Sequence, residues 1–537
     1  MKKYKFIIPL ILAVAFVFTS CTKDLNVEPI DPNTNTANNL FQNQTAYKEA
    51  LAKIYAGFAL TGMQGGAGNA DLQGIDEGFS SYIRTYWDVQ ELSTDEAIIT
   101  WNDATIKNFH WQTWSSNDVF LMAIYSRIYF TISLTNEFIR NADAAMGSAS
   151  GSFLTDLTHF KAEARFIRAL AYTHAIDLFG NVPFVTENDM AGAFFPKRIT
   201  RSDLFDYIES ELKAIEGDLV PAGQNEYGRA DQACDWFLLA KLYLNSEVYT
   251  GTARYTDAIT AINKVISAGY TLDPNYKHLF SADNNTSKEI IFPVVFDGVN
   301  TQTWGGTTFL VSGGYNGGTM PYPGLGNWGG MRTIKDFVGK FNITENDFAA
   351  NPQYQGPDKR AMFFFDANDG WEWNIKDVGT FKQGIGVTKW SNLSADGSAA
   401  PDANSSFAST DFPMFRLGEA YLIYAEAVVR GGGGDMATAV NYINMLRQRA
   451  YGNNSGNITQ ADLTLPFLLD ERGRELYWEG HRRTDLVRFG QFTNGSYVWQ
   501  WKGNTMDGTQ TASYRNLFPI PSQDVNANPN LVQNPGY

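Results

Sequence analysis

The chain carries the blocks LDERGREL (Leu469–Leu476) and EGHRRTDLVRFG (Glu479–Gly490) near its C-terminus, and these decide its fold. Within the first block, Glu471 and Glu475 are one helical turn apart and share a face. Arginines surround both, and a neighbouring guanidinium lowers the pKa of a carboxyl group, whereas a general acid needs a raised pKa. The pattern therefore predicts a structural ion-pair network rather than a pair of catalytic carboxylates.

Helical pairs precede these blocks along the chain. The stretches Asp231–Val248 and Tyr255–Ala268 repeat apolar residues at steps of three and four. Phe415–Val429 and Asp435–Arg449 form a similar pair, separated by the glycines of Gly431–Gly434. Antiparallel pairs with small residues where the helices meet are typical of tetratricopeptide repeats. We therefore predict a mostly α protein whose scaffold has about four tetratricopeptide-like helix pairs.

Segments rich in Gly, Asn, Thr and Trp alternate with the helical segments. Turn residues are too frequent in the former for long helices, so only short β segments are expected. We place the helical scaffold mainly at 41–60, 115–269 and 415–490, and a loop-rich, ligand-binding part mainly at 61–114 and 270–412. Together they are predicted to form a single domain over 41–537, in which the helices hold the loops that recognise the ligand.

The N-terminus has the features of an export signal. Lys2, Lys3 and Lys5 precede an apolar run, Phe6–Phe18, which is shorter than the about 20 residues of a membrane-spanning helix. Cys21 stands where a bacterial lipoprotein signal places its lipidated cysteine; plain secretion with an incidental cysteine is the alternative. We predict a lipoprotein signal peptide at 1–20, then lipidated Cys21 and a flexible polar tether at 21–40, anchoring the protein to a membrane.

The composition argues against several classes of ligand. The net charge is −15 and no basic stripe interrupts it, which argues against nucleic acid and anionic lipid and leaves room for a neutral sugar. The 5 His are scattered without metal-site spacing, and no phosphate-binding loop follows a strand. We therefore expect no metal site and no required cofactor; a structural Ca²⁺ held by loop carboxylates stays open, although no EF-hand spacing supports it. Cys234 lies in an apolar helical stretch and is predicted to fill the core.

Several blocks, in order, resemble the SusD/RagB family. Besides the two C-terminal blocks they are RFIRA (Arg165–Ala169), LFGNVP (Leu178–Pro183), GRAD (Gly228–Asp231), LFPIP (Leu517–Pro521) and QNPGY (Gln533–Tyr537). The resemblance extends from Cys21 to Tyr537. It implies a SusD-like fold and an outer-membrane lipoprotein without catalytic activity. It also implies that the protein covers a SusC-like TonB-dependent transporter and binds the glycan that the transporter imports.

Loop aromatics are the candidate ligand-binding residues. Trp101 is flanked by Thr, Asn and Asp, and a second cluster places Trp304, Tyr315, Tyr322 and Trp328 among glycines. An indole offers a flat apolar face to the C–H side of a pyranose ring, while amides and carboxylates bond its hydroxyls. The alternative is that a given tryptophan is buried in the core. Trp371 and Trp373 are reserve candidates, and Trp111, Trp114 and Trp236 are predicted to be core residues.

The family resemblance adds roles to some of these residues. In starch-binding members an arc of aromatic rings follows the curve of an α-glucan, with an Arg and an Asn on the sugar hydroxyls. This sequence looks similar through Trp101, Trp304 and Trp328, with Arg84 and Asn102 as the polar partners.

Three functional hypotheses follow. The first is a cell-surface, outer-membrane lipoprotein that captures starch or malto-oligosaccharides and delivers them to a SusC-like transporter. The second is a SusD-like protein for a different glycan or for a peptide. The third is a glycoside hydrolase, which needs two carboxylates about 5–10 Å apart in a cleft. We assign no residue as catalytic, because nothing in the sequence marks a carboxylate near the loop aromatics with a raised pKa.

Overall fold

A computed structural model describes residues 41, 43–189, 194–401 and 406–537. The predicted signal peptide, Cys21 and the tether lie outside the described residues. The helices are α1 Gln44–Ala59, α2 Tyr82–Glu91, α3 Asn108–Trp111, α4 Val119–Met146, α5 Gly151–Leu178, α6 Arg201–Ile215, α7 Gln232–Leu244, α8 Ser246–Thr250, α9 Tyr255–Ile266, α10 Gly306–Gly314, α11 Lys335–Val338, α12 Leu417–Val429, α13 Met436–Tyr451, α14 Leu465–Leu476, α15 Arg482–Arg488 and α16 Ser522–Ala527. The strands are β1 Ile98–Ile99, β2 Val182–Pro183, β3 Arg198–Ile199, β4 Ile290–Val294, β5 Met331–Arg332, β6 Phe363–Phe364, β7 Gly386–Val387 and β8 Phe412–Arg416.

Helices dominate, and the strands form two-stranded antiparallel sheets, β1–β5, β2–β3, β4–β8 and β6–β7. The prediction of a mostly α fold with short β segments is confirmed. None of the helices in the described part is both long and apolar enough to cross a bilayer.

The two helical pairs predicted from the sequence are present. Helix α7 packs along α9, and α12 packs along α13, while α4 packs along α5 and α5 along α6. Asp231 caps α7 by accepting hydrogen bonds from the backbone N–H groups of Ala233 and Cys234. Cys234 is fully buried in α7, as predicted. The number of tetratricopeptide-like pairs stays a prediction.

The start of α12 differs from the prediction. Phe415 and Arg416 belong to β8, where Arg416 lies opposite Ile290 of β4. The side chain of Arg416 enters the buried ion network, and this interaction together with the β4–β8 pairing sets the backbone there. Helix α12 therefore begins at Leu417.

The C-terminal acidic residues form the predicted ion-pair network. Glu475 pairs with Arg416 at 2.7 Å and with Arg360 at 3.0 Å, and Glu471 pairs with Arg360 at 2.9 Å and Arg447 at 2.8 Å. Burial alone would raise the pKa of Glu471, but the surrounding arginines outweigh it and lower the pKa to about 2. These carboxylates are ionised structural anchors that join α14 to β8, to α13 and to the loop at Arg360.

Two buried helices lie inside the segments predicted to be loop-rich. Every residue of α2 and of α10 is buried. The two helices begin in close contact, because a Cβ at Gly305 would lie 1.8 Å from Oγ of Ser81. The frequent glycines and threonines around α10 are therefore packing residues as well as turn residues, which is why the sequence pattern concealed the helix. Both helices carry residues of the candidate site.

Candidate functional site

A short sheet brings the two aromatic loops together. Strand β1 pairs antiparallel with β5, with Ile99 opposite Met331. The backbone N–H of Thr100 then donates to the carbonyl of Gly330 at 3.0 Å. Because the pairing stops there, Trp101 and Trp328 leave the sheet side by side from opposite strands.

A buried histidine fixes the early loop. Nε2 of His110 accepts the backbone N–H of Ile99 at 2.9 Å, and Nδ1 lies 2.9 Å from the carbonyl of Leu92, to which it donates. Burial lowers the pKa of His110 to about 3, so the ring is neutral at physiological pH and can keep one nitrogen as an acceptor. The segment that presents Trp101 is therefore anchored at its base.

Three indoles form a continuous row, which we call the tryptophan arc: Trp101, Trp328 and Trp304. The ring centroids of Trp101 and Trp328 are 6.4 Å apart, and those of Trp328 and Trp304 are 6.0 Å apart. Successive ring planes are inclined by 53° and 55°. All three side chains are half-buried. The structure thus brings Trp101 together with Trp304 and Trp328, which lie more than two hundred residues later in the sequence.

Trp101 is held rigidly from below. Its Nε1 donates to the carbonyl of Gly329 at 3.0 Å. The ring of Phe309, on α10, meets it edge-on with centroids 5.8 Å apart. The backbone at Gly330 is so close that a Cβ there would lie 2.5 Å from Nε1 of Trp101. One face and one edge of the indole are therefore fixed by the protein.

Arg84 lies beneath the arc. Its guanidinium carbon is 4.3 Å from the ring centroid of Phe309 and 5.5 Å from that of Trp101, and Nη1 donates to the carbonyl of Gly78 at 2.8 Å. Arg84 is buried, with only 7% of its surface exposed. Burial lowers the pKa of Arg84, partly offset by nearby aspartates. Nη2 has no hydrogen-bond partner among the described residues, and it is the group through which Arg84 could reach a ligand.

The predicted amide partner is at the surface. Asn102 is exposed beside Trp101, and its Oδ1 accepts a hydrogen bond from Nζ of Lys107 at 2.5 Å. Within the described part of the chain its amide nitrogen has no partner, so this nitrogen can donate to a hydroxyl group.

Two contacts of Trp304 are not predicted by the sequence. The ring of Phe407 lies 4.7 Å from that of Trp304, centroid to centroid. On another side, a Cβ at Gly66 would lie 2.6 Å from Nε1 of Trp304. The glycine-rich run Gly65-Gly66-Ala67-Gly68 is typical of a backbone that approaches another group closely. No local sequence pattern indicates that Phe407 lies next to Trp304.

Tyr315 and Tyr322 lie apart from the three indoles as a separate pair. Their ring centroids are 5.7 Å apart, with the rings inclined by 71°. Both line a cavity next to the C-terminal end of α10. The predicted set of aromatics therefore divides into the tryptophan arc and this tyrosine pair.

The other tryptophans have mixed positions. Trp114 is buried, as predicted, whereas Trp111 and Trp236 are only partly buried. The reserve candidate Trp371 is 3% exposed and packs against Phe364, so that assignment is wrong. Trp373 is half-buried.

Two of the acids near the arc, Asp95 and Glu96, are buried, whereas Asp103 is exposed. Burial would raise the pKa of Asp95, but Arg482 and Lys340 hold it well below its usual range. Burial and the neighbouring Glu91 raise the pKa of Glu96 well above its usual range. Glu96 is nevertheless 1% exposed, and it accepts the backbone N–H of Trp478 at 3.1 Å. A ligand on the arc would not reach either carboxyl group.

No group of three or more His, Cys, Asp or Glu side chains in the described ranges is placed to hold a metal ion.

Comparisons with known proteins all indicate the same family. The SusD family model matches residues 288–537. The chain is 38% identical over 574 aligned residues to "Starch-binding protein SusD" of Bacteroides thetaiotaomicron, covering 100% of this chain and 99% of that protein. It is 26% identical over 429 residues to "SusD-like protein P25" of Formosa agariphila, covering 70% of this chain and 73% of that protein.

Solved structures share the fold. A SusD superfamily protein from Bacteroides thetaiotaomicron superposes with a TM-score of 0.68 at 20% identity, over 92% of this chain and 100% of that chain. Surface glycan-binding protein A from the same organism, in complex with laminarihexaose, also gives 0.68, at 18% identity and the same coverage.

Proposed function

This chain belongs to the SusD family, and from that premise we propose that it captures starch or malto-oligosaccharides at the cell surface for import. The tryptophan arc is the observation that carries the proposal. Its rings are spaced at 6.4 and 6.0 Å and are each inclined by more than 50° to the next. Tilted successive rings suit a curved chain such as an α-1,4-glucan, whereas a flat β-1,4-linked chain would need nearly coplanar rings.

The comparisons support this ligand class to different degrees. The relative that is 38% identical over the whole chain is named as a starch-binding protein. The structure bound to laminarihexaose shares 18% identity, so it supports the fold and not a ligand. A different glycan or a peptide remains the second candidate, because recognition depends on loops that vary independently of the scaffold.

The arc suits reversible binding of a polymer. A few stacking contacts and rim hydrogen bonds in a wet groove give modest affinity for one segment. A polymer that presents many equivalent segments compensates through avidity. Asp95 and Glu96 are buried away from the arc, and we propose a binding protein and not a hydrolase.

Anchoring and delivery complete the proposal. We place the lipid on Cys21, which would hold the protein on the outer membrane, and we assign delivery to a SusC-like TonB-dependent transporter. Both assignments rest on the lipoprotein-type N-terminus and on membership of the family.

A panel of polysaccharides tests the ligand class. In affinity electrophoresis we expect amylopectin to retard the protein, and β-1,3- and β-1,4-glucans to leave its mobility unchanged. No reducing sugar should appear on prolonged incubation with amylopectin. Retardation by a β-glucan alone would contradict the α-glucan assignment, and release of reducing sugar would contradict a binding role.

A glycine variant tests whether the arc depends on its backing. Gly330 has φ +95°, and a Cβ there would collide with Trp101. Gly330→Ala is expected to cost about 1–3 kcal/mol of unfolding free energy through backbone strain and to weaken maltohexaose binding roughly fivefold by displacing the indole. Chemical denaturation and calorimetric titration measure the two effects.

Gly326 supplies the matched control in the same loop. A Cβ at Gly326 meets nothing within 4 Å, so Gly326→Ala should stay within about 0.5 kcal/mol of the parent protein. Equal ligand affinity for the two variants would show that Trp101 does not depend on the Gly330 backbone.

A further inference from the structure

A second concave surface lies at the other end of α10. It forms a cavity of about 180 Å³ that is open to solvent on one side, and its lining includes Tyr315, Tyr322, Gln353, Gln355 and Trp390. Sites for drug-sized ligands are typically about 300–1,000 Å³. The cavity is therefore too small for an oligosaccharide, but it is far larger than the roughly 15 Å³ that one water molecule needs.

Its lining has the chemistry of a sugar site. The Tyr315 and Tyr322 rings meet at 71° with centroids 5.7 Å apart, so together they form a corner of two apolar faces. The side-chain amides of Gln353 and Gln355 have no hydrogen-bond partner among the described residues. Each amide can donate two hydrogen bonds and accept on its oxygen, which matches hydroxyl groups that both donate and accept.

The cavity lining is almost uncharged, which suits a neutral ligand. Lys277 is the one charged residue among those that line it, and it is exposed. Trp390 is 3% exposed, and its Nε1 is a buried donor without a partner in the described part of the chain. Nε1 is closed off from the cavity, so Trp390 adds apolar surface to the lining and no hydrogen bond.

The cavity and the tryptophan arc share two structural elements. Helix α10 follows Trp304 directly and ends at Gly314, before Tyr315; its nine residues span about 13 Å. The loop from Tyr315 to Gly330 then runs from the cavity to the arc. Oδ1 of Asn316 accepts the backbone N–H of Gly330 at 2.9 Å, which ties the loop's two ends together.

We propose that this cavity is a subsite for one neutral hexose unit, at the end or at a branch point of the glycan that lies on the tryptophan arc. The inference rests on the proposed function, because it takes the arc as the surface for the rest of the chain. The arc is a row of ring faces along which a polymer can pass. The cavity has room for a single ring, so it selects a unit that projects from the polymer or terminates it.

Three ligands separate the subsite from the arc. α-Cyclodextrin has neither ends nor branches, maltohexaose has ends, and 6-O-α-glucosyl-α-cyclodextrin has a branch. The double variant Gln353→Ala/Gln355→Ala should bind α-cyclodextrin within twofold of the parent protein. It should lose about five- to tenfold in affinity for maltohexaose if the cavity takes chain ends, or for the glucosylated ring if it takes branches. The control is Gln510→Ala, which changes an exposed glutamine that lines neither surface.

Each outcome of the titrations is decisive. If the double variant binds all three ligands as the parent does, the cavity is not a subsite, although the proposed function stands. Equal losses for all three ligands would also overturn the subsite, since the glutamines would then act on the arc. If the parent protein binds none of the three, the proposed function fails, and the subsite fails with it.

Discussion

Replacing Trp101 and Trp328 together by alanine is expected to abolish retardation by amylopectin and to weaken maltohexaose binding about 100-fold. Truncating a central aromatic side chain of a binding surface commonly costs about 1–2 kcal/mol or more, and each 1.4 kcal/mol is tenfold in affinity. The two centroids are 6.4 Å apart. Because they are in contact, the single variants are expected to show losses that do not simply add. Titration calorimetry on the single and double variants measures the coupling.

A scaffold tryptophan provides the control for this experiment. Nε1 of Trp236, on α7, donates to Glu216 at 2.8 Å, away from the arc. Trp236→Ala should therefore leave amylopectin retardation unchanged. A thermal unfolding curve must first show that the double variant is folded. Unaltered retardation of a folded double variant would mean that the glycan lies elsewhere.

The residues of the arc could be proposed from sequence because their local settings are unusual. Trp101, Trp304 and Trp328 each stand among small or polar residues where core packing explains an indole poorly. Their order in space could not be proposed in the same way. It depends on the pairing of β1 with β5, two-residue strands without a distinguishing sequence pattern.

Arg84 illustrates a further limit. The sequence predicts that Arg84, with Asn102, is a polar partner of the sugar. The structure places its guanidinium under Trp101 and against Phe309, and buries it. Burial at this position depends on α10 crossing α2, and α10 lies in a glycine-rich stretch whose pattern does not indicate a helix. Whether Nη2 also contacts the ligand stays a prediction.

The tyrosine pair shows how composition can group residues that the fold separates. Tyr315 and Tyr322 share a glycine-rich segment with Trp328, so the sequence pattern predicts one surface for all of them. The fold turns the segment so that its start faces the cavity and its end faces the arc. The glutamines of that cavity come from a different loop, near Tyr354, where no aromatic cluster drew attention to them.

Arg416→Met is expected to have the largest effect on stability. Arg416 is 1% exposed and donates to Glu289 at 2.9 Å, to Glu475 at 2.7 Å and to Glu479 at 2.6 Å. Methionine has an unbranched apolar side chain but cannot pair with these carboxylates. Removing one partner of a buried ion pair typically costs about 3–5 kcal/mol, because it leaves charge buried and uncompensated. Urea denaturation should therefore show a lower midpoint.

The expected loss comes from burial and not from the change of charge itself. Lys376→Met removes the same charge from an exposed pair with Glu372, whose atoms are 2.8 Å apart. Exposed pairs contribute about 0–1 kcal/mol, so this control should barely move the midpoint. Equal midpoints for the two variants would mean that the C-terminal network is solvated in solution. Because β8, α13 and α14 meet at that network, it would then no longer explain how the C-terminal blocks hold the fold together.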